Sequence, residues 1–461
     1  MTTLGDTLVL GMGRSGVAAV RYLATLISAG EATSVTMVDS SDTPALREAA
    51  TELRALGVNV LLGCERVEGR FGLCVASPGI PPHAELMVSA KCAAEKVVSE
   101  IEFAFARSDH TWVAITGTNG KTTTTALVVH LLQAAGMPAR AVGNIGSPAI
   151  TAVADTPVEE VLVAEVSSFQ LALTETFRPR VAVLLNITPD HVNWHGSLEA
   201  YVADKVKVFA NLAEGDVAVI DCDDLGSAPY ADQVAARGVD VVRVSRDQAF
   251  PDGASVSDGW LTLETRGGAI KLVRTSDLLI RGDHNISNAL AAAAAVHSLG
   301  MAPSSIAEGL RTFEPIEHRL EPVGTYGGVR WFNDSKATNP DAVFKALSAF
   351  GDEPLIVLLG GRNKGNDFRP LAEDTAARAK AAVLFGESAG EFEAAFEGLD
   401  IARYRADGLE SAVRIASEIA VPGDSVVLSP ACASFDEFSD YEARGRAFKQ
   451  WVSQLETGVT R

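Results

Sequence analysis

Apolar and polar positions alternate along this chain on the scale of whole elements. Short apolar runs recur, such as Leu8-Val-Leu10, Leu73-Cys-Val-Ala76, Trp112-Val-Ala-Ile115, Val161-Leu-Val-Ala164, Val181-Ala-Val-Leu-Leu185 and Leu355-Ile-Val-Leu-Leu359. Each is followed by a turn rich in Gly, Ser, Asn or Asp, and then often by a stretch with helical spacing. The runs predict buried strands and the stretches between them predict helices, among them 121–132, 201–209 and an alanine-rich interior at 291–296. Strands alternating with helices predict an α/β fold with mainly parallel sheets. The acidic, glycine-containing stretch 246–268 predicts loops and short strands.

Motifs and polar joints divide the chain into three units. Residues 1–98 form the first, residues 99–313 the second, and residues 314–461 the third, with joints near Ser99 and around Glu314-Pro-Ile-Glu-His-Arg319. A chain of 461 residues has room for this many domains, and 47% hydrophobic residues supply ample core. The formal net charge of −20 argues against a nucleic-acid partner held by a broad positive field. Five scattered cysteines without CxxC spacing read as free thiols in a reducing cytosol. The N-terminus enters a strand without a charged leader, and no apolar run reaches membrane-spanning length, so a cytoplasmic protein is expected.

The chemistry concentrates at strand ends. In the second unit the strand at 112–115 leads into Thr116-Gly117-Thr118-Asn119-Gly120-Lys121-Thr122-Thr123 and then a helix. That order surrounds a phosphate with backbone N–H groups and a helix N-terminus, with Lys121 reaching the outer phosphates and Thr122 placed to hold Mg²⁺. Ile115 stands where a strict Walker A motif has its first glycine. The strand at 161–165 ends in Glu165, the position of a metal-binding carboxylate beside a phosphate loop. Asp190-His191 closes the next strand, and Lys205 follows fourteen residues after His191 among apolar neighbours. Taken singly these have ordinary readings: a capping Asp190, a structural His191, a snorkelling Lys205, a turn residue at Asn144.

The first unit opens with Gly11-Met-Gly13-Arg-Ser-Gly16 between strand and helix, and its second strand ends in Asp39. This pyrophosphate-binding pattern serves NAD or any other diphosphate, and Asp39 reads equally as a helix cap or a loop acid. Ser77-Pro-Gly79 lies at another strand end. The third unit gathers Asn333-Asp334-Ser-Lys336-Ala-Thr338, Lys364, and Ser429 to Phe438, read as a strand entering a helix N-terminus at Ser434. Such ends suit a small substrate with carboxylates, or else plain helix capping by Ser434 and Thr338.

Taken together these motifs resemble the Mur ligases of bacterial peptidoglycan synthesis. The resemblance covers the whole chain in order: the Gly117–Thr123 loop, Glu165-Val-Ser-Ser-Phe-Gln170, Asp190-His191, Gly282-Asp-His-Asn285-Ile-Ser-Asn288, His318-Arg319, the Asn333–Asn339 segment and Leu428–Phe438 with Glu442-Ala-Arg444-Gly445. It implies three domains: a Rossmann-like N-terminal one, a P-loop-type central ATPase and a Rossmann-like C-terminal one. It implies an ATP-dependent ligase acting on a UDP-sugar precursor, a monomer, with the C-terminal motifs those of members that add D-glutamate.

By the same resemblance Ser15, Asp39, Ser40, Ser77, Gly79, Asn144 and His191 bind the UDP-precursor. Gly117, Thr118, Asn119, Gly120, Lys121, Thr122, Thr123, Asn285, Asn288, Arg319 and Asp334 bind ATP. Thr122, Glu165, His191 and Lys205, the last carbamylated, surround two Mg²⁺ ions. Thr338, Lys364, Ser434 and Tyr441 bind D-glutamate, and Lys336 joins Lys121, Glu165, His191 and Lys205 in catalysis. Ser41 stands where family members can carry arginine, and Tyr441 where phenylalanine is common. The alternatives are a sibling ligase or folylpolyglutamate synthase, an NAD-dependent dehydrogenase built on Gly11–Gly16, and a nucleotide switch without ligase activity.

Overall fold

The computed structural model describes residues 4–455. Among the described residues there are three sheets. The first is all parallel, in the order Asn59–Leu62, Ala32–Asp39, Leu4–Leu10, Leu73–Ala76, Val97–Ser99. That order starts from a central first strand and winds outward in both directions, the doubly wound arrangement whose reversal point lies beside Leu4–Leu10. The second sheet has nine strands. Its parallel part includes Ala139–Gly143, Val161–Glu165, Trp112–Thr116, Val181–Leu184, Val217–Asp221 and Asp240–Ser245 in spatial order. The stretch expected as loops and short strands is an antiparallel meander, Ala254–Ser257, Trp260–Thr265 and Gly268–Arg274, that continues this sheet. The third sheet has six strands and is parallel apart from the edge strand Glu321–Tyr326.

The hydrophobic runs become central strands because both faces are covered. Every residue of Trp112–Thr116, Val161–Glu165, Val181–Leu184, Leu355–Gly360 and Ala381–Phe385 is buried. Edge strand Ala402–Arg405, which is mostly polar or small, is exposed throughout. A strand buried on two sides has no polar face to show, which is why these segments read as continuous apolar runs without alternation.

The chain forms two compact units. One holds the first two sheets (1–277 and 287–312), and the other holds the third sheet with residues 278–286. The polar joint expected near Ser99 lies within the first of these units. Ser99 caps the short helix Glu100–Phe105, whose first five residues are buried. Glu102 accepts hydrogen bonds from the N–H groups of Glu175, Thr176 and Phe177 and from the Thr176 hydroxyl. Glu100 accepts from Ile150 N–H at 2.7 Å, and burial raises its carboxyl to about 7. Two carboxylates in the interior need such donors, and these donors fasten the helix to the helix Ala149–Asp155 and to the loop ahead of strand Val181–Leu184.

Candidate functional site

The phosphate loop is built as its residues dictate. Strand Trp112–Thr116 ends, the loop turns, and helix Lys121–Ala134 begins with Gly120 at its N-cap. Gly120 has φ +83°, and a Cβ there would collide with the Asn288 amide oxygen, so the loop fits under Asn288 only with glycine. The same oxygen accepts from the Thr124 hydroxyl at 3.2 Å. Asn186 clamps the loop by accepting from Asn119 N–H at 2.8 Å and donating to the Asn119 carbonyl at 3.1 Å. The Thr118 hydroxyl pairs with the Tyr201 hydroxyl at 2.8 Å. Thr122 and Thr123 stand in the first helical turn, and the N-cap glycine offers no side-chain oxygen to the N–H groups there, an arrangement that suits a phosphate.

Two lysines meet on this loop. Lys121 Nζ donates to the carbonyls of Gly117 and Thr118, both at 2.9 Å, and Lys205 Nζ donates to the Gly117 carbonyl at 2.8 Å. Lys205 is 2% exposed on helix Leu198–Val206, so it does not snorkel. Burial, reinforced by the Lys121 cation, brings its ammonium down to about 7. His191 sits in the left-handed region at φ +52°. Partial burial holds its imidazole below the usual range; Asp190 opposes this, and the Lys121 and Lys205 charges add to it.

Glu165 ends the neighbouring strand, 1% exposed. One carboxylate oxygen accepts from the Asn144 side-chain amide at 2.7 Å, so Asn144 is more than a turn residue; the other oxygen, Oε2, is buried with no hydrogen-bond partner. An orphaned carboxylate oxygen near a phosphate loop is what a hard divalent cation would complete, so these residues fit Mg²⁺.

At the first sheet, Ser15, Asp39, Ser40, Ser77 and Gly79 collect at or just beyond the carboxyl ends of adjacent parallel strands, the edge where open α/β sheets bind ligands. Asp39 is neither a helix cap nor a solvated acid: it accepts from Met12 N–H at 2.7 Å and Ser41 N–H at 2.8 Å and so shapes the glycine turn. The Ser77 hydroxyl donates to the Gly11 carbonyl at 3.2 Å. At Gly16 a side chain would strike that same carbonyl, so glycine lets the helix approach the turn.

The compact unit of the third sheet holds the remaining candidates. Burial pushes the Asp334 carboxyl up to about 7 against the Ser429 hydroxyl, which donates to it at 2.7 Å, and the positive Arg319. Asn285 donates to the Arg281 carbonyl at 2.7 Å. Lys336 lies over the Tyr441 ring at 5.5 Å, and Lys364 donates to the Thr338 hydroxyl at 3.5 Å. Ser434 is buried but not at a helix N-terminus. Its carbonyl accepts from Glu437 and Phe438 N–H in a single turn, and the helix Tyr441–Gln454 starts later, capped by Asp440. Thr338 does not cap either, because Asn339 takes that place ahead of Pro340.

Arg444 entered the sequence reading only as part of a family motif, and His195 did not enter it at all. Arg444, fully buried, donates to the Ser335 hydroxyl and to the carbonyls of Ser335 and Cys432, fastening together the segments that follow strands Val329–Asn333 and Ser425–Ala431. His195 links two helices beside the phosphate loop. Neither signal is local, since each depends on partners distant in sequence.

This geometry defines an α/β protein with a P-loop-type centre. Residues 115–296 match the Mur ligase middle domain, and residues 318–432 match the Mur ligase glutamate ligase domain. The chain is 43% identical over 460 residues, 99% of each chain, to the UDP-N-acetylmuramoylalanine–D-glutamate ligase of Pelotomaculum thermopropionicum. It is 43% identical over 454 residues to the enzyme of that name from Frankia casuarinae, covering 97% of this chain and 94% of that one. The crystal structure of UDP-N-acetylmuramate–alanine ligase MurC from Thermotoga maritima shares the fold, with a TM-score of 0.58 at 20% identity over 98% of this chain and 99% of that one. The chain belongs to the Mur ligase family.

Proposed function

We propose that this chain is an ATP-dependent ligase that adds D-glutamate to UDP-N-acetylmuramoyl-L-alanine during cytoplasmic peptidoglycan precursor synthesis. The observation that carries this reading is the end-to-end likeness to D-glutamate ligases, which runs through the third sheet as well as the phosphate loop. A folylpolyglutamate synthase or a dehydrogenase would not share that full length. Among the described residues no helix is long and apolar enough to cross a membrane. The working domains would be 1–98 for the UDP-precursor, 99–313 for ATP and 314–461 for D-glutamate, in a monomer.

Ser15, Asp39, Ser40, Ser77, Gly79, Asn144 and His191 would hold the UDP-precursor. By the family resemblance, the loop Gly117–Thr123, Asn285, Asn288, Arg319 and Asp334 are the residues that would bind ATP. The precursor's carboxylate attacks the γ-phosphoryl group and ADP leaves, giving an acyl phosphate. Lys121, already crossing the loop, spreads positive charge over the transferring group. The D-glutamate amine then attacks the acyl carbon, and the tetrahedral intermediate collapses to the amide and phosphate. Thr122, Glu165, His191 and a carbamylated Lys205 would hold two Mg²⁺ ions, which when bound neutralise the phosphoryl oxygens. Positioning and electrostatics supply most of the acceleration.

Phosphate release should require ATP, the UDP-precursor and D-glutamate together, with L-glutamate a poor substitute. Equal ATP turnover without either co-substrate would sink the ligase reading. Lys336, Thr338, Lys364, Ser434 and Tyr441 would bind D-glutamate. Lys364 is exposed, so its pairing with a substrate carboxylate is screened, and Lys364→Ala should cost about 1 kcal/mol of D-glutamate binding. Steady-state kinetics should show a several-fold higher KM for D-glutamate with KM for ATP unchanged; unaltered constants would make Lys364 a plain surface lysine.

A further inference from the structure

His195 stands outside the residues assigned above, but it contacts segments next to three of the proposed metal ligands, Glu165, His191 and Lys205. Its side chain is fully buried. Nδ1 lies 2.9 Å from an Asp204 carboxylate oxygen, and Nε2 lies 3.0 Å from the Ser168 hydroxyl. A carboxylate only accepts, so Nδ1 carries the proton and Nε2 accepts from Ser168. Ser168 is three residues on from Glu165, in the first turn of helix Ser168–Ala172. Asp204 immediately precedes Lys205 on helix Leu198–Val206. His195 itself closes the one-turn helix Val192–His195, and its N–H donates to the His191 carbonyl at 3.2 Å. The ring stacks on Phe169 at 5.5 Å and meets the edge of Tyr201 at 5.3 Å, the tyrosine whose hydroxyl holds Thr118 of the phosphate loop.

One imidazole thus joins the segments bearing Glu165, His191 and Lys205. The order Ser–His–Asp is that of a hydrolytic triad, but Ser168 is 2% exposed, so a substrate carbonyl has no approach to its hydroxyl. The other oxygen of Asp204 pairs with Lys207 Nζ at 2.8 Å, which balances its charge. Resting on the metal-site reading above, we infer that His195 is a positioning residue that fixes the mutual geometry of Glu165, His191 and Lys205 for divalent-metal binding. Partners of metal ligands act this way by restricting the ligands' orientation.

The experiment measures Mn²⁺ binding to the full chain by electron paramagnetic resonance of the free ion, for wild type, Ser168→Ala, His195→Asn and the double variant. The asparagine amide keeps a donor toward Asp204 but does not reach Ser168, so both single changes cut the same link. Each should raise the Mn²⁺ dissociation constant about tenfold, raise the half-saturating Mg²⁺ concentration in turnover, and leave KM for D-glutamate unchanged. The double variant should be no worse than the weaker-binding single one. Circular dichroism establishes folding; if His195→Asn fails to fold, Ser168→Ala, which removes only a hydroxyl, decides. Wild-type binding with unaltered binding by Ser168→Ala, or penalties that multiply in the double variant, would overturn the inference alone. Absence of Mn²⁺ binding by wild type would overturn the metal-site reading and the inference with it.

Discussion

Lys121→Ala should lower kcat for phosphate release on the order of 10³-fold, since a cation supplied to the transferring phosphoryl group is worth that much in related chemistry. The structure says why this lysine and not another. Lys121 Nζ is drawn onto the loop by the Gly117 and Thr118 carbonyls, both at 2.9 Å, which restricts where its charge can lie. An ammonium oriented in advance costs little reorganisation during the reaction. The loss should fall mainly on kcat, because charge builds up in the transition state, with a smaller rise in KM for ATP. Lys121→Arg keeps the charge but replaces a compact ammonium with a planar fork, so it should recover only part of the rate. A melting temperature close to wild type would tie the loss to chemistry and not to the loop. Turnover by Lys121→Ala within tenfold of wild type would remove Lys121 from the mechanism.

The phosphate loop was legible because its signal is local: a buried strand, a glycine turn and a helix follow one another within a few residues. The parallel sheets were legible for the same reason, since burial on both faces leaves unbroken apolar runs such as Leu355–Gly360. What stayed hidden depends on partners far along the chain. Glu100 and Glu102 look like a solvated joint until Ile150 and the 175–177 backbone are found donating to them. Lys205 reads as snorkelling until Gly117, 88 residues away, accepts its hydrogen bond. The expected helix at Ser434 misled because Ser434-Phe-Asp-Glu-Phe438 mimics a cap followed by helical spacing. Asp440, accepting from Ala443 N–H at 2.6 Å, is the cap that starts the following helix. His195 needed both Ser168 and Asp204 to be seen at once.

Lys205→Ala should cost on the order of 10²-fold in turnover, the scale of removing one preorganised electrostatic contact. The physical reason begins with a conflict in the unmodified chain. Two ammonium groups, partly exposed Lys121 and buried Lys205, converge on the one carbonyl of Gly117. The burial of Lys205, and after it the repulsion from Lys121, favour its neutral form, which accounts for the fall to about 7. At pH 8 most of the amine is therefore neutral, where an ordinary lysine is almost wholly protonated. A neutral amine adds CO₂, with loss of one proton, to give a carbamate. That exchange removes the like-charge contact with Lys121 and supplies an anionic oxygen, while the remaining N–H can still donate to Gly117. The sign follows directly: acid converts the amine to ammonium, which cannot add CO₂, so activity should fall as pH drops through about 7. CO₂ depletion should hurt more at pH 6.5 than at pH 8. With ¹³C-labelled bicarbonate, wild type should show a carbamate carbon resonance that Lys205→Ala lacks. A wild-type spectrum without that resonance under turnover conditions would rule out the modification, and a Lys205→Ala enzyme of near-normal rate would rule out the role.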